Sequence, residues 1–185
     1  MTPLIVFIAA YLLDALLGDP VWLPHPVVAM GRAISGLERL LRRLFPNTNS
    51  CLLAAGCVLA ALLPVGSFCV AAGALFLAGR VHPLLALALN AFWGGQCLAV
   101  RDLRKEAMAV YACLKQNDLP AARKAVGRIV GRDTAALTTE GVTKAAVETV
   151  AENFSDGVFA PMFYLAIGGA PLALAYKAVN TMDSM

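Results

Sequence analysis

The sequence predicts an all-α, multi-pass integral membrane protein with a cytoplasmic helical segment. Hydrophobic residues make up 59% of the 185 positions, charged residues only 15%, and the mean hydropathy is +0.71, outside the habit of ordinary soluble domains. The apolar residues are gathered into four segments, residues 2–18, 51–79, 81–100 and 157–176, rather than spread at amphipathic spacing. Each is roughly 17–29 residues, enough to cross a hydrocarbon core of about 30 Å as a helix. No segment alternates with a period of two over a useful length, which argues against strands.

Residues 2–18 are uncharged as far as Leu13, and Asp14 is their one interruption. Lacking a basic leader and a small-residue cleavage site, they read as a retained first span or a membrane-dipped helix rather than a signal peptide. An intramembrane acid such as Asp14 is a functional candidate by default. The following Gly18-Asp19-Pro20-Val21-Trp22-Leu23-Pro24-His25-Pro26 is turn-rich, because its prolines exclude a regular helix. Trp22 suits an interfacial anchor. Residues 27–44 are amphipathic, with Val27, Met30, Ile34, Leu37, Leu41 and Leu44 on one face. Such a helix lies on the membrane surface with Arg32, Arg39, Arg42 and Arg43 toward headgroups or an anionic ligand.

The second apolar segment is long for one crossing, and Pro64 and Gly66 predict a kink or tilt. A short turn at Arg80-Val81-His82-Pro83 leads into the third, and His82 there reads as structural. Residues 101–156 are soluble in character and fit three short helices. Leu103, Ala107, Val110, Tyr111 and Leu114 form the first apolar stripe. Pro120 opens the second helix, whose face is Ala122, Ala125, Val126 and Ile129, with Gly131 placed to cap its end. Thr138 or Thr139 caps the third, with Val142, Ala146 and Val150 inward. The last apolar segment is divided by Pro161, Gly168-Gly169 and Pro171 into pieces of about ten residues, each reaching only about 15 Å. A re-entrant hairpin turning at residues 168–171 is therefore expected, returning Asn180 and Asp183 to the side of Asp156.

Both basic segments fall on one side if the second and third apolar segments form a hairpin. The positive-inside rule makes that side cytoplasmic and puts the N-terminus outside. Acidic residues are interleaved with the bases, so a nucleic-acid partner has little support. Cys51, Cys57, Cys69, Cys97 and Cys113 form no CxxC pair and read as inert core thiols. No GxxxxGK[ST] occurs, which removes a P-loop nucleotide site.

Two polar clusters bracket the last apolar segment: residues 152–157 and residues 180–185. Glu148, Glu152 and Asp156 are spaced four apart and share a face if the helix persists. With Asn153 and Ser155 beside them they suit a Mg²⁺ site at the edge of a phosphate pocket; Glu148 alone suits a surface pair with Lys144. Between the second and third soluble helices, Arg132, Asp133 and Thr134 offer donors to a phosphate or carboxylate, while Asp133 or Thr134 also suits a cap of the following turn. A plain helix end with a solvent-facing Arg132 explains the same residues. His25, held between two prolines, is a lone histidine and more often structural.

Together these residues resemble one family. Asp14 with Gly18-Asp19-Pro20-x-Trp22-Leu23-Pro24-His25-Pro26 is similar to the N-terminal signature of the cobalamin biosynthesis CobD/CbiB family, the adenosylcobinamide-phosphate synthases. Gly131-Arg132-Asp133-Thr134, Glu148-x-x-x-Glu152-Asn153-x-Ser155-Asp156-Gly157, Ala160-Pro161 and Asn180-Thr181-x-Asp183-Ser184-Met185 match later motifs in order. The resemblance implies an ATP-dependent amide ligase joining adenosylcobyric acid to aminopropanol phosphate or a related amino-alcohol phosphate. ATP and Mg²⁺ are implied with it. On that basis Glu152, Asp156 and Asp183 are expected as Mg²⁺ ligands, Arg132 as a phosphate clamp with Asp133, Thr134 and Ser155 near it, and Asn153 and Asn180 as positioning donors. His25 or Asp19 is expected to serve the amine or the corrinoid side chains. Members of the family continue beyond the equivalent of Met185, so the chain reads as an N-terminal fragment or a truncated product. A transporter subunit, or a scaffold binding other cobalamin-pathway enzymes, is the rival expectation.

Overall fold

The computed structural model describes residues 2–18, 20 and 22–185. Among these the chain is helical throughout, with no strand: α1 (Thr2–Leu17), α2 (Pro26–Leu44), α3 (Asn49–Val81), α4 (Pro83–Gln96), α5 (Val100–Lys115), α6 (Leu119–Val126), α7 (Thr139–Phe154), a π-turn (Ser155–Phe159) and α8 (Ala160–Asp183). Asn49–Val81, Pro83–Lys115 and Thr139–Asp183 are each long and apolar enough to cross a membrane. The protein is a multi-pass membrane protein.

Its membrane body is built from α1, α3, α4 and α8, with α2 laid against α3 and α8. Val6, Ala10, Met30, Ile34, Leu63, Ala71, Leu165, Ala173 and Ala178 form the shared core. Without a hydrophobic drive between helices in lipid, close backbone approach supplies the contact, and small residues permit it. At Gly94 an added Cβ would lie 2.8 Å from Leu165 and 3.1 Å from Ala10, so α1, α4 and α8 meet there only because the position is glycine. Helix α3 continues through Pro64 as one element of 33 residues. It is about 50 Å long, more than a hydrocarbon core. Only 11% of its apolar window is buried, so most of its surface is free to meet lipid or further protein.

The few polar side chains inside this body fasten one helix to another. Asp14 is buried, and its Oδ2 accepts from the backbone N–H of Val100 at 2.8 Å. It thus satisfies an orphan donor of the first turn of α5, the work of a capping residue supplied from another helix. That is the structural explanation of an acid whose position alone suggested function. Buried Gln96 donates through Nε2 to the Pro24 carbonyl at 3.1 Å, tying the proline-rich loop to the end of α4. The third apolar segment is shorter as a helix than its run of apolar residues, because α4 ends at Gln96 and residues 97–99 turn the chain into α5.

Helices α5, α6 and α7 form a lobe with its own core of Val110, Ala122, Ala125, Val126, Val142 and Ala145. Asp118 Oδ1 accepts from Ala121 N at 2.9 Å and opens α6, with Pro120 in the first turn. Thr138 Oγ1 accepts from Gly141 N at 3.1 Å and opens α7. The expected cap at Gly131 is corrected: α6 ends at Val126 with Gly127 as its cap, and Gly131 lies in the following loop.

The chain reverses inside α8. Gly168 (φ −131°, ψ 15°) and Gly169 (φ 66°, ψ −165°) leave the helical region and divide the helix in two. The rings of Tyr164 and Tyr176, one from each half, stack with centroids 4.9 Å apart. A continuous helix would separate those residues by about 18 Å. Tyr176 Oη also donates to the Asp156 carbonyl at 3.4 Å. In a cysteine-free background of the full-length protein, Ser155→Cys and Ser184→Cys are expected to react with a membrane-impermeant maleimide from the same side. Reaction from opposite sides would replace the re-entrant hairpin with a span.

Candidate functional site

A cavity of about 830 Å³ opens where the lobe meets the membrane body. Four pieces of chain build it. Helix α5 contributes Asp102 and Glu106, the loop after α6 contributes Arg128 and Arg132, and α7 with the π-turn contributes Glu148, Glu152, Asn153 and Asp156. The last turns of α8 add Lys177, Asn180, Asp183 and Ser184. The two polar clusters that lie far apart in sequence therefore share one wall-to-wall space, because the reversal at Gly168-Gly169 brings the end of α8 back to the π-turn.

Local geometry explains how each side chain reaches the cavity. The π-turn inserts one extra residue per turn into the helix, a device often found at functional sites. Asp156 lies in this turn, four residues on from Glu152, and lines the same cavity as Glu148 and Glu152. On the returning half of α8, Lys177, Asn180 and Ser184 are spaced i, i+3 and i+7 and so share a face. Arg123 supports the loop between α6 and α7: its Nε donates to the Leu137 carbonyl at 2.6 Å, and its own carbonyl accepts from Thr134 Oγ1 at 3.0 Å.

Charge on the walls is mixed and partly paired. Arg128 Nε donates to Glu106 Oε2 at 3.0 Å, joining the loop to α5. Arg132 Nη2 donates to Glu148 Oε2 at 3.1 Å, joining it to α7. Lys144 Nζ lies 3.8 Å from the other oxygen of Glu148. These pairs are substantially exposed, so each contributes about 0–1 kcal/mol and gives way readily to a competing ligand.

The expected site residues divide into three groups. Glu152, Asp156, Asp183, Arg132, Asn153 and Asn180 all line the cavity. Asn153 donates one amide hydrogen to the Thr149 carbonyl at 2.9 Å, and its second N–H and its carbonyl oxygen remain for a ligand. His25 does not join them: its Nδ1 accepts from Val27 N at 3.2 Å as the cap of α2, and it lines a separate, mainly apolar cavity of about 730 Å³ between α2, α3 and α4. Two rigid prolines and a helix start explain that placement. Asp133, Thr134 and Ser155 are not on the cavity wall either. Asp133 Oδ1 accepts from Ala135 N at 2.9 Å, and Thr134 bonds Arg123, so both shape the loop that carries Arg132. Asp19 lies outside the described residues.

Among the described residues no three of His, Cys, Asp and Glu come together as a group able to hold a metal ion. Glu152, Asp156 and Asp183 share the cavity without converging into a protein cage. An all-oxygen, hard donor set of this kind fits Mg²⁺ held by one or two carboxylates, its shell completed by water and phosphate oxygens.

Several residues of the site carried no local signal. Arg128 and Glu106 read as surface charges on amphipathic helices until the fold sets them across a cavity. Lys177 was visible as the sole charged residue between Gly157 and Met182. Asn90, which lies in the third apolar segment, was detectable by the same logic that singled out Asp14.

Residues 7–185 match the family model described as CobD/Cbib protein. The cobalamin biosynthesis protein CobD of Geobacter metallireducens is 54% identical over 181 residues, covering 97% of this chain and 55% of that protein. CobD of Listeria monocytogenes is 46% identical over 182 residues, with coverages of 98% and 57%. CbiB of Salmonella choleraesuis is 43% identical over 176 residues, with coverages of 95% and 55%. The chain thus spans little more than half the length of the curated relatives it matches. No solved structure matches it.

Proposed function

Because the chain belongs to the CobD/CbiB family, we propose that it serves cobalamin biosynthesis by ATP-dependent amide formation between adenosylcobyric acid and an amino-alcohol phosphate. The observation that carries this reading is the cavity at the membrane border, lined by Glu152, Asp156 and Asp183 on one hand and Arg128, Arg132 and Lys177 on the other. A carboxylate resists attack by an amine at neutral pH and must first be activated. In the proposed route a carboxylate oxygen of the corrinoid attacks the γ-phosphorus of ATP, and ADP leaves. The amine then attacks the acyl phosphate carbon, inorganic phosphate leaves, and the amine gives up a proton.

Such chemistry depends on positioning and on stabilising charge. Arg132 and Arg128, released from weak surface pairs, neutralise phosphate oxygens. Asn180 orients the amine or the acyl oxygen from the returning half of α8. One or two of Glu152, Asp156 and Asp183 would hold Mg²⁺, which supplies charge neutralisation at the phosphates. The lipid bilayer and corrinoid and amino-alcohol phosphate ligands are the partners this reading requires, with the cavity on the cytoplasmic face of a bacterial inner membrane.

A broken helix is also a transporter device. Here, however, charged residues gather at the border cavity, while the break at Gly168-Gly169 meets Asn90. The test uses the full-length protein in nanodiscs with adenosylcobyric acid, aminopropanol phosphate, ATP and Mg²⁺, with products read by mass spectrometry. The expected product is the amide, formed in step with ATP consumption. Substrate movement across proteoliposomes without any amide product would replace the ligase with a transporter.

A further inference from the structure

We infer that Lys177 is an anion-binding residue of the border cavity and that the group it binds is a phosphate of the ligand. This deepens the amide-synthesis reading and rests on it only for the source of that phosphate. Lys177 is the sole charged residue between Gly157 and Met182, and its neighbours Ala173, Leu174, Ala175 and Ala178 are buried in the apolar core. A charge in such a segment is costly unless it has a polar destination, and its destination is the cavity wall.

The other two cations on that wall must first leave carboxylate partners to meet an anion. Arg128 is paired with Glu106 and Arg132 with Glu148, whereas among the described residues no ion pair engages Lys177. Asn180 and Ser184, on the same helix face, place neutral polar groups along the wall below it. A dianion entering past Glu152, Asp156 and Asp183 needs a fixed positive charge to offset their repulsion. Lys177 provides it from a packed helix, and a lysine ammonium serves phosphate as a point charge. In the proposed reaction the phosphate comes either from ATP or from the amino-alcohol phosphate.

The full-length protein in detergent is titrated separately with aminopropanol phosphate and with a non-hydrolysable ATP analogue. Lys177→Gln is expected to weaken binding of at least one about tenfold to a hundredfold, and Lys177→Arg to retain most of it. Loss confined to one ligand identifies the source of the phosphate. Should Lys177→Gln fail to fold, the wild-type protein is labelled with acetic anhydride. Acetylation at Lys177, read by mass spectrometry, is expected to fall severalfold when either ligand is present. Unchanged affinity in a folded Lys177→Gln protein, or equal acetylation with and without both ligands, overturns the inference: Lys177 then only reaches for water. Protection of Lys177 in a protein that makes no amide would keep the phosphate site and reject the ligase instead.

Discussion

Asp156→Asn in the full-length protein is expected to abolish turnover, by about a hundredfold or more, while expression and folding stay intact. The scale is that of removing one preorganised charge-stabilising group. The substitution keeps side-chain size and leaves the backbone carbonyl that accepts from Tyr176 untouched, so the hairpin remains fastened. What changes is the charge at the one position of the acidic wall that lies in the π-turn. Asp156 is also less exposed than Glu152, which favours it as the carboxylate closest to reacting groups. Steady-state ATP consumption and amide formation measure the effect; wild-type rates in a folded Asp156→Asn protein would remove this residue from the machinery.

Gly169→Val is expected to destabilise the membrane body by on the order of 2–6 kcal/mol. Two causes add. Gly169 sits at φ 66°, ψ −165°, a region essentially reserved for glycine, where another residue costs roughly 1–3 kcal/mol. An added Cβ would also stand 3.0 Å from Asn90 Oδ1. That oxygen accepts from Ala170 N at 2.8 Å and caps the returning half of α8. Pushing it aside strands an N–H in an apolar setting, at a further cost of about 1–3 kcal/mol. Because native stabilities are about 5–15 kcal/mol, the melting temperature in detergent is expected to fall clearly, with activity lost in parallel. Asn90→Leu should reproduce the second part alone, and Asn90→Asp, which keeps an acceptor, should reproduce little of it. A Gly169→Val protein that melts with the wild type would show that the hairpin does not depend on this turn.

Whatever depends on a few neighbouring residues was legible in the sequence. Asp118 with Pro120, and Thr138 ahead of a helical stripe, announce helix starts by their own hydrogen-bonding chemistry. Glu152, Asp156 and Asp183 stood out because carboxylates beside apolar segments need a destination. The rest depends on which helix lies against which. Asp14 became a cap only because α1 ends beside the start of α5, and His25 left the site because its own helix claims it. The π-turn had no sequence signature beyond Gly157. Arg128 and Glu106 are ordinary surface residues on any helical wheel, and become cavity walls through the docking of α5 on the loop after α6.

The reversal at Gly168-Gly169 has an electrical meaning. Moving one elementary charge across a membrane potential of 100 mV involves about 2.3 kcal/mol. A straight α8 would place Asp156 and Asp183 at opposite poles of that field, and any ligand touching both would feel it. Folded back, the two carboxylates and Lys177 share one cavity, and a ligand there would touch all three from one side of that field. Catalysis in such a cavity is blind to the voltage of the membrane that supports it, so turnover in energised and de-energised vesicles should be the same.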